Sequence, residues 1–164
     1  MKHFDEIKNI FNENRTLFQL AEETKINDKH YIFSHAGITK GWIDYNFKNE
    51  EISSNNVVEF LNNMWYTQDY DKLNKLWQYD KYRGYFGYEY GSPLWADLNS
   101  TYKLKKEDTY GDLQIVGHTH LQNIPLIFAN ISCFDCRKCF YLNSIGEILY
   151  YDNDENCKKT NPTG

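Results

Sequence analysis

No stretch of this 164-residue chain approaches the ~20 apolar residues of a membrane-spanning helix, and its charged start, Met1-Lys2-His3-Phe4-Asp5-Glu6, is no signal peptide. Lysines and arginines are scattered through a chain of net charge −5, so neither nucleic acid nor an anionic membrane is expected as a partner. No internal repeat and no low-complexity segment is present. Cysteine is sparse, at four residues. These absences imply a cytoplasmic chain, in which the thiols stay reduced and the sequons at Asn14, Asn99 and Asn130 are irrelevant.

What is there is apolar and aromatic. Hydrophobic residues make up 41% and aromatics 17%, with 14 tyrosines, which argues for a folded domain rather than a disordered chain. The length is that of one ordinary domain, expected over residues 1–151, with a helical insert at 53–82 and a polar, flexible tail at 152–164. With so little basic charge, a phosphate-bearing substrate would need a metal ion or a local cationic pocket.

Phe4, Ile7, Ile10 and Phe11 recur at helical spacing and predict an amphipathic helix over residues 2–14 whose apolar face needs a partner. Leu17 to Glu23 alternates, Asn27-Asp28 signals a turn and Lys29 to Ser34 is apolar, which predicts a hairpin leading to His35. Ser53 or Ser54 can cap a helix carrying Val57, Val58, Phe60, Leu61, Met64 and Trp65 on one face. Thr67 to Lys81 repeats the form, with Tyr70, Leu73, Leu76 and Trp77 expected inward. From Leu113 onward the pattern is strand: the run into His118, then Ile124 to Cys133, Cys139 to Leu142 and Ile148 to Tyr151, implying an antiparallel finish.

Two of the strands end alike. Gln114-Ile115-Val116 runs into Gly117-His118-Thr119-His120, and Tyr31-Ile32-Phe33-Ser34 runs into His35-Ala36-Gly37. In an extended backbone alternate side chains share a face, so His118 and His120 could aim at one ion. Neutral imidazole is the commonest metal ligand, and strand ends form the rim where α/β folds bind ligands. Taken singly, each histidine reads as an ordinary surface or core residue; as a set, His35, His118 and His120 read as metal ligands.

Other candidates stand in pairs of readings. Arg83 could hold a phosphate in bidentate fashion or lie on an aromatic ring at the surface. Asp97 could cap a helix or accept from a histidine ring nitrogen. Cys133, Cys136 and Cys139 form C-x-x-C-x-x-C, with Cys157 as a fourth candidate; they could bind zinc or an iron–sulfur cluster, or be reduced structural thiols.

His35-Ala36-Gly37 after a strand, Gly91-Ser92-Pro93-Leu94-Trp95-Ala96-Asp97, Gly117-His118-Thr119-His120 and the closing Cys133-Phe134-Asp135 resemble, in that order, the C-terminal half of calcineurin-like metallophosphoesterases, including the bacterial and phage serine/threonine-phosphatase-like branch. The resemblance covers roughly residues 15 to 151. It implies an α+β fold, part of an αββα sandwich, with two divalent metals (Mn2+, Fe2+ or Zn2+) and a bridging hydroxide that attacks phosphorus. It implies His35 and His118 on the second metal, His120 on the first, and Arg83 at the phosphate. The family's earlier motifs, Asp-x-His, Gly-Asp-x-x-Asp and Gly-Asn-His-Asp/Glu, do not occur here. Met1 corresponds to the family's chain just after its third motif, so the expectation is a partial domain with no complete catalytic set.

The reading is therefore a metal-dependent phosphoesterase acting on a phosphomonoester or phosphoprotein, incomplete as this chain. Its alternatives are a non-catalytic remnant or complementing subunit, which implies an N-terminal complementing chain or a homo-oligomer as partner, and a mononuclear zinc hydrolase with three histidine ligands.

Overall fold

The computed structural model describes residues 2–77, 91–97, 104–121, 126–128, 130–136, 138–151 and 157–159. Helix α1 spans Lys2–Glu13 and is followed by a 3-10 turn, Arg15–Leu17. Strands β1, Ala21–Ile26, and β2, Lys29–Ser34, form the expected hairpin. Asn27 and Asp28 both take positive φ, 50° and 63°, as a two-residue hairpin turn requires. That turn sets the register at Ile26↔Lys29, so β1 begins later than the Leu17–Glu23 alternation suggests.

Helix α2, Lys40–Asn46, comes next; Thr39 caps it by accepting from the Trp42 amide at 3.3 Å. Helices α3, Val57–Tyr66, and α4, Tyr70–Trp77, follow. The expected serine cap of α3 is corrected: Asn56 is the cap residue, its side chain accepting from Ser53, while Ser54 Oγ accepts from the Gly111 amide. In α4, Leu73 and Leu76 point inward as expected, but Tyr70 and Trp77 are exposed. A helix only two turns long can bury one narrow stripe, and the two leucines fill it. The expected helical segment beyond Trp77 lies outside the described residues.

The remaining strands are β3, Leu113–Val116; β4, Leu126–Phe128; β5, Ile131–Cys133; β6, Phe140–Leu142; β7, Ile148–Tyr151; and β8, Cys157–Lys159. They form a mixed sheet of order β1-β2-β3-β5-β4 and a second, antiparallel sheet β6-β7-β8. The antiparallel finish holds for β4 with β5 and for the second sheet, but not for β3, which runs parallel to both β2 and β5. Strand β8 falls within the segment that reads as a flexible tail. The fold class is α+β.

One face of the large sheet carries the main core. Ile32 shares it with Trp42, Val57, Leu61 and Leu76, all buried, so α3 and α4 contribute to the core. Phe47 stands edge-on between Trp42 and Phe60, at 5.4 and 5.0 Å between ring centroids. A polar staple joins α3 to the sheet edge: Asn62 Oδ1 accepts from the Leu20 and Ala21 amides, and its Nδ2 donates to the Ala21 carbonyl. The second sheet docks through its β6–β7 turn, where the Gly146 carbonyl accepts from the Tyr31 hydroxyl at 3.1 Å. Of the sequons, Asn130 is buried and bonded to Thr109, and Asn14 donates to the Ile10 carbonyl; Asn99 lies outside the described residues.

Candidate functional site

Parallel pairing of β2 with β3 brings the two histidine-bearing ends to one rim. The last paired residues are Ser34 and Val116, and the Gly117 amide extends the ladder by donating to the His35 carbonyl at 2.9 Å. The chain then reverses at His118, which has φ +65°, and the Thr119 amide donates to the Gly117 carbonyl at 2.8 Å. A three-residue turn with positive φ at a non-glycine centre is a strained conformation. Its effect is to swing His118 toward β2, where His35 Nε2 lies 2.9 Å from His118 Nδ1 and the rings meet edge to face.

That same turn separates His118 from His120. The extended-backbone expectation puts both rings on one face; the reversal at His118 removes the alternation on which it depends. His120 instead faces Asp135, its Nδ1 3.7 Å from Oδ1, both side chains about half exposed. The Asp135 carbonyl accepts from the Leu121 amide at 2.7 Å, and the preceding residue, Phe134, donates its amide to the Val116 carbonyl at 2.9 Å. The Asp135 carboxylate is the group that sequence reasoning missed as a site residue, although it belongs to the closing Cys133-Phe134-Asp135 motif. No group of three or more histidine, cysteine or carboxylate side chains among the described residues stands in a metal-binding arrangement.

The segment 91–97 forms a wall of the site. Ser92 is fully buried and anchors it by donating to the Leu76 carbonyl at 2.8 Å, while the Pro93 carbonyl accepts from the Ala36 amide at 2.8 Å. Trp95 thereby stands perpendicular to His118, 5.6 Å between ring centroids. Asp97 is partly buried at the end of this segment; the residues after it, which would settle the cap reading, and Arg83 lie outside the described residues.

Beneath the rim, two buried polar groups fix the loops. Gln114 is fully buried; its Oε1 accepts from the Ile38 amide at 2.8 Å and its Nε2 donates to the Ile38 carbonyl at 2.7 Å, so it holds the chain leaving His35 by both backbone groups. Cys133 Sγ lies 3.3 Å from the carbonyl oxygens of Gly117 and Thr119, which flank His118. Burial pushes the Cys133 and Cys136 thiols up, away from the thiolate form that metals bind. Cys133, Cys136 and Cys139 are free thiols.

A polar cleft of about 410 Å³, lined by Lys25, His30, Ser54 and Asp112, lies at the other ends of β2 and β3 and includes none of these residues.

The donor chemistry can be tested against a metal. With metal–nitrogen bonds of about 2.0–2.1 Å, two ligands at a right angle stand about 2.9 Å apart, and at a tetrahedral angle about 3.4 Å. The His35–His118 spacing of 2.9 Å matches two ligands at a right angle, as in an octahedral site, and is short of the tetrahedral value; it is also the length of a hydrogen bond between the two rings. No family model, no curated protein and no solved structure matches the chain.

Proposed function

We propose that this chain is part of a metal-dependent phosphoesterase of the calcineurin-like kind, incomplete by itself, its two sheets and helices being part of that family's αββα sandwich. His35 and His118 would be two ligands of a divalent ion, Mn2+, Fe2+ or Zn2+. The single observation that carries the reading is the 2.9 Å approach of His35 Nε2 to His118 Nδ1 at the carboxyl ends of two parallel strands. The ordered sequence motifs support it independently.

When bound, the metal would polarise a phosphoryl oxygen and make a water more acidic. The chain's own residues would then do the following. His35 and His118 would hold the second ion at the rim, Trp95 beside the His118 ring would limit how far that ring can turn, and His120, next to Asp135 on the neighbouring loop, would be a ligand of the first ion for a phosphomonoester or phosphoprotein substrate.

A second reading, a complementing or interaction subunit, is favoured by one observation: Ile7, Ile10 and Phe11 of α1 are exposed on one helix face. The two are separated by metal titration and turnover of p-nitrophenyl phosphate with added manganese. Saturable divalent binding lost in His35→Ala and His118→Ala, with turnover, supports the phosphoesterase. Binding of one zinc with hydrolysis of p-nitrophenyl acetate but not the phosphate supports a mononuclear hydrolase. Absence of both metal binding and turnover sinks the enzymatic reading.

A further inference from the structure

Helix α1 stands away from the body of the protein. Every described side chain from Asp5 to Glu13 is exposed, including Ile7 at 54%, Ile10 at 57% and Phe11 at 44%. Its far end is tied down: the Arg15 carbonyl accepts from the Trp65 indole at 3.0 Å, and Phe11 lies against Phe18 at 4.6 Å between centroids. A 12-residue helix is of marginal stability alone in water, where helices shorter than about 12–15 residues seldom persist without packing on an apolar face. This helix has the apolar face and, among the described residues, nothing packed over it to match.

The charges nearest that face are arranged by sign, while Lys2 and Asp5 lie further round, about 140° and 160° from Ile7. At about 100° per residue, Lys8 lies about 100° to one side of Ile7, while Glu6 and Glu13 lie about 100–120° to the other. Arg15, just past the helix, leans back onto Asn12 with a 3.4 Å hydrogen bond and so joins the Lys8 side. When two copies of such a helix pack face to face in parallel, the basic flank of each meets the acidic flank of the other; in antiparallel packing like flanks meet. In the parallel pair Lys8 sits between the levels of the partner's acidic residues and Arg15 lies two residues along from one, within reach of long side chains.

We propose that α1 is a self-association surface, pairing in parallel with α1 of a second copy of this chain through Ile7, Ile10 and Phe11. A membrane is a poorer occupant: Lys2, Lys8 and Arg15 balance Asp5, Glu6 and Glu13, and interfacial helices carry a basic polar face instead. The area is that of one short helix pair, so the dimer is weak and concentration-dependent.

Sedimentation equilibrium of the full chain over a concentration series tests this. The wild type is expected to shift from monomer to dimer, and Ile7→Asp and Ile10→Asp to remain monomeric with unchanged thermal unfolding of the core. Because a parallel pair sets the two copies of position 7 against each other, Ile7→Cys should give a disulfide-linked dimer on oxidation. The Lys8→Glu/Arg15→Glu chain and the Glu6→Lys/Glu13→Lys chain should each be monomeric alone and pair when mixed. A wild type that stays monomeric at every soluble concentration overturns the proposal, as does a dimer indifferent to Ile7→Asp or an Ile7→Cys chain that does not cross-link through position 7. A monomer that co-sediments with phosphatidylcholine–phosphatidylglycerol vesicles assigns the face to lipid instead.

Discussion

His35 Nε2 and His118 Nδ1 stand 2.9 Å apart although 83 residues separate them in the chain. At that distance the two nitrogens share one proton or one ion; they cannot both point a hydrogen at the other. Removing either ring should lower divalent-ion affinity at least tenfold by isothermal titration, whereas His3→Ala, on exposed α1, should leave it unchanged. Equal effects from all three substitutions would mean that the pair is only a hydrogen bond.

Gln114 offers a test of how the rim is supported. Gln114→Leu keeps most of the volume but leaves the Ile38 amide and carbonyl without their partner inside the core. A buried polar group stripped of its partner costs about 1–3 kcal/mol, so a loss of that order should appear in urea unfolding. Because Ile38 is three residues from His35, metal affinity should fall as well.

Cys133 supports the other loop. Cys133→Ser keeps a donor between the Gly117 and Thr119 carbonyls and should preserve the His118 turn; Cys133→Val fills the space without donating and should release it. The readout is the contact between the His35 and His118 rings in NMR spectra, which is expected to survive in the serine variant and vanish in the valine one.

At the β6–β7 turn, Gly146 has φ +82°, and a Cβ there would collide with the Tyr31 hydroxyl. Gly146→Ala should therefore destabilise by about 1–3 kcal/mol. Tyr31→Phe removes only the hydrogen bond to the Gly146 carbonyl and should cost about 0.5–1.5 kcal/mol. In the double variant the alanine penalty should shrink, since the hydroxyl it strikes is gone.

The Asp112 carboxyl is held below its ordinary value of 3.8, first by the His30 amide and then by Lys106. A carboxyl lowered on folding contributes stability that is full above its unfolded value and is lost as pH falls through the folded one. Stability should therefore drop below about pH 4, and Asp112→Asn should flatten that drop while lowering stability near neutrality. With 43% of the side chain exposed, the difference should stay within about 1 kcal/mol.

The amino-acid pattern by itself determined the local pieces, because their causes are local. Asn27-Asp28 demanded a tight turn between two strands, Phe4, Ile7, Ile10 and Phe11 recurred at helical spacing, and the apolar runs stopped at His35 and at Gly117. It could not show which strands would be neighbours. That depended on helices α2 to α4 burying their faces on Ile32, which carries the chain across and returns β3 parallel to β2. Only the tertiary structure decided that His35 meets His118, and that His120 turns to Asp135, because the reversal at His118 is strained and is held by Cys133 from a neighbouring strand. Local spacing assumed an extended chain at that point; contacts from β5 bent it.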